Sequence, residues 1–338
     1  MRPISLPPLI ILDFDGTITK SDTINTLFKH ALSYQSSPAR SKPQDFTSAY
    51  KNILSAYTSS YTAHLSTQPP KPSRVSVPQE LDFLRSLRGV ERASFERVGT
   101  QQIFRGIGRR EWRGFGRAAV ASGDVLSRKG VTELWDLLAK PDGAENETRR
   151  PKCCVLSVNF SREFVRGVLE SAVLGHDPVL RREEAVDEDG AEIVDEVEIV
   201  ANSVDAQTGM IYGPEANGEV IATSEDKVRV MRDVVRGWRE DLRKSRSEGE
   251  KAGPSGGKCF YVGDSTTDLE CLLEADVGLV MADTEPGSSL IETLRRIGLG
   301  VEHVSTFHDG HLPVRKEDRK TVWWARDFQE ILDSGIIS

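Results

Sequence analysis

The hydrophobic and polar positions of the chain form short apolar runs, and helical patterns follow several of them. Apolar runs that begin at Leu9, Cys153, Phe260 and Val277 have the length and composition of strands buried on both faces. A helical pattern follows the second and the third of these runs directly. Strand, polar residue and helix in this order form one unit of a parallel sheet. The pattern therefore predicts an α/β fold with a Rossmann-like parallel sheet.

The segment between the first and the second predicted strand has a different character. It shows apolar residues at helical spacing, interrupted by stretches rich in Ser and Pro, and no alternating pair of strands. The predicted helices lie within 21–34, 79–95 and 101–121, and the predicted loops within 36–45 and 66–78.

This division predicts two domains. Residues 1–20 and 128–338 are expected to form the α/β core, and residues 21–127 to form a mainly helical cap inserted over it. Within the core, the acidic stretch 176–195 is expected to be a solvated loop. The tail is expected to contain a helix from Trp323 to Leu332.

Composition and charge narrow the class of protein. Of the 338 residues, 38% are hydrophobic and 28% charged, which is typical of a globular chain, and the net charge of −8 argues against binding to nucleic acid or to an anionic membrane. No run is long enough for a membrane span, and no signal peptide is apparent. The cysteines are expected to be free, buried thiols, which favours a reducing compartment. We therefore expect a cytoplasmic protein, with an additional nuclear location as the alternative. The four cysteines are Cys153, Cys154, Cys259 and Cys271.

The first apolar run leads into a candidate phosphate site. Asp13 and Asp15 follow the strand, and Gly16 permits a tight curl that brings both carboxylates toward one point, where they would suit Mg²⁺. The backbone N–H groups of Phe14, Asp15 and Gly16 would form an anion-binding concavity beside them. The alternative is ordinary turn chemistry after a strand. The motif favours a phosphate site that contains a nucleophile.

Polar residues at three other predicted element ends are the candidate partners of this motif. Ser157 ends the second strand, where it would donate to a phosphate oxygen or merely cap a turn. Lys227 lies in the first turn of a helix, a position at which the helix dipole disfavours a cation unless an anion binds there. Asp264 and Asp268 follow the third strand as Gly-Asp-x-x-x-Asp, with turn and N-cap as the alternative.

The order of these motifs resembles the haloacid dehalogenase (HAD) superfamily of phosphohydrolases. The resemblance implies that Asp13 is the nucleophile that forms an aspartyl-phosphate, and that Asp15 is the general acid and then the general base. It implies that Asp13, the backbone carbonyl of Asp15 and Asp264 hold Mg²⁺, with support from Asp268. It further implies that the phosphoryl group is bound by Phe14, Gly16, Ser157 and Lys227.

The position of the predicted cap indicates which branch of the superfamily the sequence resembles most. A helical insertion after the first motif, together with Ile199-Val200-Ala201-Asn202, is similar to phosphoserine phosphatases. Residues 155–161, Gln101-Gln102-Ile103-Phe104 and Trp323-Trp324 look most like a fungal branch of HAD-like proteins described as cold tolerance proteins.

Two departures from the phosphoserine phosphatase pattern concern the substrate. Asp22 stands where those enzymes carry a Glu, and Asn159 lies in the pair that replaces their double glycine. Both residues are therefore candidates for substrate specificity, and phosphoserine itself is in doubt. A run of arginines in the cap is expected to be a solvated helix face, with an anionic ligand as the alternative. These arginines are Arg105, Arg109, Arg110, Arg113 and Arg117.

The resulting hypothesis is a Mg²⁺-dependent phosphatase that hydrolyses a small phosphomonoester, so the expected partner is a small phosphorylated metabolite. Two alternatives stay open. One is a HAD-fold regulatory or interaction protein with little activity, whose polar insertions would be docking elements. The other is a phosphomutase, which would return the phosphoryl group from the aspartate to a second hydroxyl.

Overall fold

The computed structural model describes residues 7–139, 151–174, 197–244, 257–307 and 320–337. Seven of its strands form one sheet in the order β3-β2-β1-β6-β7-β9-β8, and every pairing in this sheet is parallel. The predicted α/β fold with a parallel sheet is confirmed. The strands of the sheet are β1 (Leu9–Leu12), β2 (Lys152–Leu156), β3 (Glu198–Val200), β6 (Cys259–Gly263), β7 (Val277–Met281), β8 (Gly300–His303) and β9 (Thr321–Ala325), and a separate hairpin contains β4 (Ser203–Val204) and β5 (Ile211–Tyr212).

Helices pack on both faces of the sheet and also form the segment between β1 and β2. That segment holds α1 to α6, and the remaining helices follow the later strands. The helices are α1 (Ile24–Ser36), α2 (Thr47–Thr67), α3 (Val77–Ser86), α4 (Arg88–Thr100), α5 (Arg109–Ala121), α6 (Val131–Ala139), α7 (Arg162–Leu174), α8 (Ser224–Lys244), α9 (Leu269–Glu274), α10 (Ser289–Arg296) and α11 (Phe328–Ser334). None of these described helices has the length and apolarity needed to cross a bilayer.

The core lies in two layers, one on each face of the sheet. Successive residues of a strand point to opposite faces, so Ile10 joins one buried cluster and Ile11 the other. Cys153 and Cys154 divide between the same two clusters, and all four cysteines are free and buried, as predicted. The burial of every β1 residue explains why this strand is a continuous apolar run.

The register of the central strands brings the predicted motifs to one edge of the sheet. Leu12 pairs with Val155 of β2 on one side and with Val262 of β6 on the other. Strands β2 and β3 lie on one side of β1, and the chain then crosses to β6 on the other side. In open α/β sheets, ligands bind beyond the carboxyl ends of the strands at the place where the strand order changes direction in this way. The residues that follow β1, β2 and β6 therefore lie close together.

Helix α5 of the predicted cap packs directly on α7 of the core. A Cβ atom on Gly116 would lie 2.3 Å from the carbonyl oxygen of Phe164, and one on Gly167 would lie 2.1 Å from that of Arg113, so both glycines are needed at the crossing. Three of the five cap arginines form ion pairs across this contact. Arg109 and Arg117 are nevertheless exposed, as expected for a solvated face, whereas Arg113 is half-buried. The pairs are Arg109–Glu163, Arg113–Glu163, Arg113–Glu170 and Arg117–Glu170.

Some element predictions were wrong or incomplete. The expected helix from Trp323 is wrong, because Thr321–Ala325 is strand β9, which is buried between β7 and β8, and the helix starts only at Phe328. Helix α2 was missed because its many Ser and Thr residues weaken its apolar stripe. The predicted loop 66–78 includes the start of α3, and the predicted helix 101–121 begins only at Arg109. The expected acidic loop 176–195 lies outside the described residues.

Candidate active site

Three carboxylates meet at the carboxyl edge of the sheet. Asp13 follows β1, whereas Asp264 and Asp268 follow β6, and each offers one oxygen atom within 4.8 Å of the others. Asp13 and Asp268 are buried, and Asp264 is half-buried. A cluster of like charges with little access to water is unfavourable unless cations neutralise it.

Lys227 is the cation that the protein itself supplies to this cluster. Its side chain is 0% exposed, and its Nζ donates to Asp13 and, at 2.6 Å, to Oδ1 of Asp268. Burial lowers the pKa of Lys227, but the charges of Asp13 and Asp268 outweigh that effect and hold the pKa above its ordinary value. The cation that seemed out of place at a helix N-terminus therefore has two buried partners.

One lysine does not neutralise three carboxylates. Burial, followed by repulsion from Asp268, raises the pKa of Asp13 to about 7. Burial, followed by repulsion from Asp13, raises the pKa of Asp264 to about 9. In the absence of a metal ion, protons therefore relieve part of the repulsion. With all three carboxylates ionised, the cluster would hold more negative charge than Lys227 neutralises, and a bound divalent cation would relieve that excess.

Asp268 is the best-anchored member of the cluster. The hydroxyl of Tyr261 donates to its Oδ1 at 2.7 Å, and the backbone N–H groups of Asp264 and Ser265 donate to its Oδ2 at 3.0 Å. A Cβ atom on Gly263 would lie 2.4 Å from the Asp268 carboxyl carbon, which explains the glycine that precedes Asp264 in the motif. These contacts fix Asp268 as a support for its neighbours.

Gly16 allows the first motif to approach the third. Its φ of +77° is in the left-handed region, and a Cβ atom would lie 2.1 Å from Oδ2 of Asp264, so conformation and space both require glycine. The buried guanidinium of Arg128 donates twice to the Gly16 carbonyl, at 2.9 and 2.8 Å, and also to the carbonyl of Arg326 and to Asp283. Arg128 therefore ties the loop after β1 to the loop after β9.

Asp15 points to a different set of partners from Asp13. Its Oδ1 accepts from the Thr23 backbone N–H at 2.8 Å, and its Oδ2 accepts from Nδ2 of Asn159 at 3.0 Å. Burial, followed by repulsion from Asp22, raises the pKa of Asp15 to about 6. A carboxyl group with a pKa in this range can give up and take back a proton near neutral pH. Its carboxylate is not part of the three-carboxylate cluster.

The predicted phosphate-binding groups lie at the same edge. Ser157 follows β2 and is buried, and its hydroxyl oxygen accepts from the Asn159 backbone N–H at 3.0 Å, which leaves the hydroxyl proton for another acceptor. The side chain of Phe14 is fully buried, so only its backbone can face a ligand. The backbone N–H of Gly16 donates to the Thr19 hydroxyl at 3.2 Å, and this bond must be exchanged if Gly16 is to bind phosphate.

A cavity of about 470 Å³ opens beside Asp15 and extends to helices α2 and α4 of the predicted cap. Both residues proposed for specificity line it. Asp22 is exposed and accepts from the Ile24 backbone N–H at 2.7 Å at the start of α1, whereas Asn159 is buried. A concave, largely apolar site with a few polar groups is the usual form of a small-molecule site.

The residues present fit Mg²⁺. Hard carboxylate oxygens are the ligands that this ion prefers, and the three-carboxylate cluster supplies them together with excess negative charge. Asp13, Asp264 and Asp268 are the described residues whose carboxylates are placed to hold it.

Four residues of this site were missed by sequence reasoning, namely Thr23, Arg128, Tyr261 and Asn159 as a partner of Asp15. The sequence does contain a signal for Tyr261, because a tyrosine inside a buried strand needs a hydrogen-bond partner for its hydroxyl. Arg128 left none, since it lies 112 residues from Gly16 and in no motif.

Comparisons with known proteins agree with the resemblance seen in the sequence. No family model matches the chain. It is 26% identical over 345 residues to Cold tolerance protein 1 of Saccharomyces cerevisiae, with 96% of each chain covered. It is also 26% identical over 283 residues to a CTO1 family protein of Schizosaccharomyces pombe, with 82% of each chain covered. The predicted resemblance to fungal cold tolerance proteins is confirmed.

The solved structures that match include phosphoserine phosphatases, the second group that the sequence resembles. A phospho-aspartyl intermediate analogue of phosphoserine phosphatase matches with 12% identity and a TM-score of 0.41, covering 97% of this chain and 99% of that one. A substrate-bound phosphoserine phosphatase matches with 14% identity and a TM-score of 0.37, covering 98% and 99%.

Proposed function

We propose that this protein is a Mg²⁺-dependent phosphatase that hydrolyses a small phosphomonoester through an aspartyl-phosphate intermediate. The observation that carries the proposal is the meeting of Asp13, Asp264 and Asp268 around Lys227, with Asp15 on the adjoining cavity. The motifs that resemble those of HAD phosphohydrolases thus come from distant parts of the chain to one edge of the sheet. The proposed nucleophile, its cationic partner and the proposed acid therefore lie close together.

In the first step, a carboxylate oxygen of Asp13 forms a bond to phosphorus while the bond from phosphorus to the ester oxygen breaks. Asp15 donates its proton to the departing oxygen, so the alcohol leaves neutral and Asp15 becomes a carboxylate. Burial raises the pKa of Asp15 to about 6, so a minor fraction of the molecules holds that proton at neutral pH, and the fraction grows as the pH falls. Thr23 and Asn159 hold the carboxyl group in place.

In the second step, Asp15 takes a proton from water, and the water oxygen forms a bond to phosphorus. The bond between phosphorus and the Asp13 oxygen breaks, inorganic phosphate leaves, and Asp15 is protonated again. Lys227 and the Ser157 hydroxyl would donate to phosphoryl oxygens in this mechanism, and such electrostatic stabilisation is the main way in which proteins accelerate phosphoryl transfer. A bound Mg²⁺ supplies positive charge that offsets repulsion between the anionic nucleophile and the phosphoryl oxygens.

The test is phosphate release from a panel of phosphomonoesters in the presence and absence of Mg²⁺, with Asp13→Asn as the matched variant. The amide is nearly isosteric with the carboxylate but is a poor nucleophile, so we expect the variant to fold and to lose turnover. Acid-quenched protein should also retain label from a ³²P-labelled substrate in the parent and not in Asp13→Asn. Hydrolysis by Asp13→Asn at the parent rate would exclude the covalent mechanism.

A further inference from the structure

The cavity beside Asp15 also restricts what the alcohol part of the substrate can be. Its volume is about 470 Å³, and it runs from Asp15 and Asn159 to Tyr57 and Glu91 on the cap helices α2 and α4. Asp15, the proposed acid that protonates the leaving ester oxygen, lines this cavity, so the alcohol part of the substrate would lie in it. The walls decide which alcohols fit.

The walls are largely aromatic and aliphatic, and they are packed against one another. The rings of Phe95 and Phe160 meet edge to face with centroids 4.6 Å apart, and the rings of Phe28 and Phe160 meet at 6.1 Å. Tyr57 and Tyr61 stack at 5.9 Å on the cap side. Rigid apolar walls favour an apolar ligand, because a polar group against them would lose its hydration without compensation.

The charged groups of the cavity are all acidic. Asp15, Asp22 and Glu91 line it, and no Lys, Arg or His does so among the residues that the structure describes. A carboxylate or a second phosphate on the alcohol part would meet these acids with no cation to pair with. Unpaired and repelled charges of this kind are how a site rejects the wrong ligand.

Glu91 is the acidic group that helix α4 contributes to the cavity. Tyr57 donates to its Oε1 at 2.9 Å, and the side chain is half-buried. Burial raises the pKa of Glu91, and the bond from Tyr57 opposes that shift only in part. The carboxylate of Glu91 has two oxygens and can accept more hydrogen bonds than the one from Tyr57. A hydrogen-bond donor on the ligand could therefore bind to it.

We infer that the substrate is the phosphomonoester of an apolar alcohol that carries no second anionic group and presents a hydrogen-bond donor to Glu91. The inference rests on the proposed function, since it assumes that the phosphoryl group is transferred at Asp13. It excludes phosphoserine-like and bisphosphorylated substrates, because both carry a second anion.

Three aryl phosphates with the same ring test this inference. They are para-ethylphenyl phosphate, tyramine O-phosphate and the O-phosphate of para-hydroxyphenylpropionate, whose distal groups are neutral, cationic and anionic. Their leaving phenols are similar, so differences in kcat/KM report contacts in the cavity. We expect the cationic and neutral esters to exceed the anionic one by about tenfold or more, where tenfold corresponds to about 1.4 kcal/mol.

The variant Glu91→Gln tests whether the preference among these esters arises in the cavity. We expect this variant to reduce the ratio of kcat/KM for the cationic ester to kcat/KM for the anionic ester by about threefold or more, which is on the order of 0.7 kcal/mol. The matched control is Glu96→Gln on the same helix, because Glu96 is exposed and does not line the cavity. Its ratio should equal that of the parent.

The outcomes separate the two proposals. Equal kcat/KM for the anionic and neutral esters would overturn the inference and leave the phosphatase intact. Equal ratios in Glu91→Gln and the parent would overturn the part assigned to Glu91. Absence of turnover on all three esters and on the wider panel, in folded protein with Mg²⁺, would overturn the proposed function and the inference with it.

Discussion

Asn159 donates a hydrogen bond of 3.0 Å from Nδ2 to Oδ2 of Asp15, and these two residues lie 144 positions apart in the chain. The same Nδ2 donates to the Thr23 hydroxyl at 3.1 Å. The residue expected to select the substrate is therefore placed to orient the proposed general acid. Its side chain therefore contacts the proposed general acid and also lines the cavity.

The variant Asn159→Ala should lower kcat by about ten- to a hundredfold, with a smaller change in KM, because Asp15 loses one of the two donors that orient it. The measurement is steady-state kinetics on an aryl phosphate, with thermal melting to confirm the fold. Asn52→Ala is the matched control, since Asn52 is exposed on α2. An unchanged kcat in Asn159→Ala would contradict the positioning role.

Removal of the buried cation should strongly destabilise the metal-free protein. Lys227→Gln leaves Asp13 and Asp268 without their partner, and breaking a buried ion pair typically costs about 3–5 kcal/mol. The measurement is urea unfolding, with the exposed Lys51→Gln as control. The double variant Lys227→Gln/Asp268→Asn should recover part of the lost free energy of unfolding. Additive losses would show that the two charges do not interact.

The excess charge of the cluster predicts an opposite effect for one carboxylate. Asp264→Asn should raise the melting temperature of the metal-free protein by about 1–2 °C, which is on the order of 1 kcal/mol for a chain of 338 residues, because it removes repulsion from Asp13 and Asp268. The same variant should lose the stabilisation that Mg²⁺ provides to the parent.

Melting curves with and without Mg²⁺ measure both effects, and Asp233→Asn on the exposed face of α8 is the control. Equal stabilisation of Asp264→Asn and the parent by Mg²⁺ would remove Asp264 from the metal site.

Two glycines on α5 should respond in opposite directions to the same substitution. A Cβ on Gly114 meets nothing within 4 Å, so Gly114→Ala should stabilise by about 0.5–1 kcal/mol through helix propensity. A Cβ on Gly116 would lie 2.3 Å from the Phe164 carbonyl oxygen and must push α5 away from α7, so Gly116→Ala should destabilise. Urea unfolding measures both, and equal effects would disprove the close crossing.

Much of the core was determined by the sequence alone. The strands that begin at Leu9 and Cys259 follow from apolar runs, and the helix that starts at Ser224 follows from its pattern, because burial on two faces or one leaves a local periodicity. The acidic motif residues could also be found, since each follows such a strand directly. Parallel strands gather their carboxyl ends at one edge, so the meeting of Asp13 with Asp264 was predictable in outline.

The tertiary structure alone decided the partners of these groups. Arg128 at Gly16, Asn159 at Asp15 and the pairing of Arg113 with Glu163 join positions that share no local pattern. The tail shows a related limit, because the short apolar run 322–325 fits either a buried strand or a buried helix, and its pairing between β7 and β8 identifies it as a strand. The spacing of apolar residues in the sequence indicates which side of a helix or strand is buried. It does not indicate which residue lies against that side, because this depends on how distant helices and strands pack.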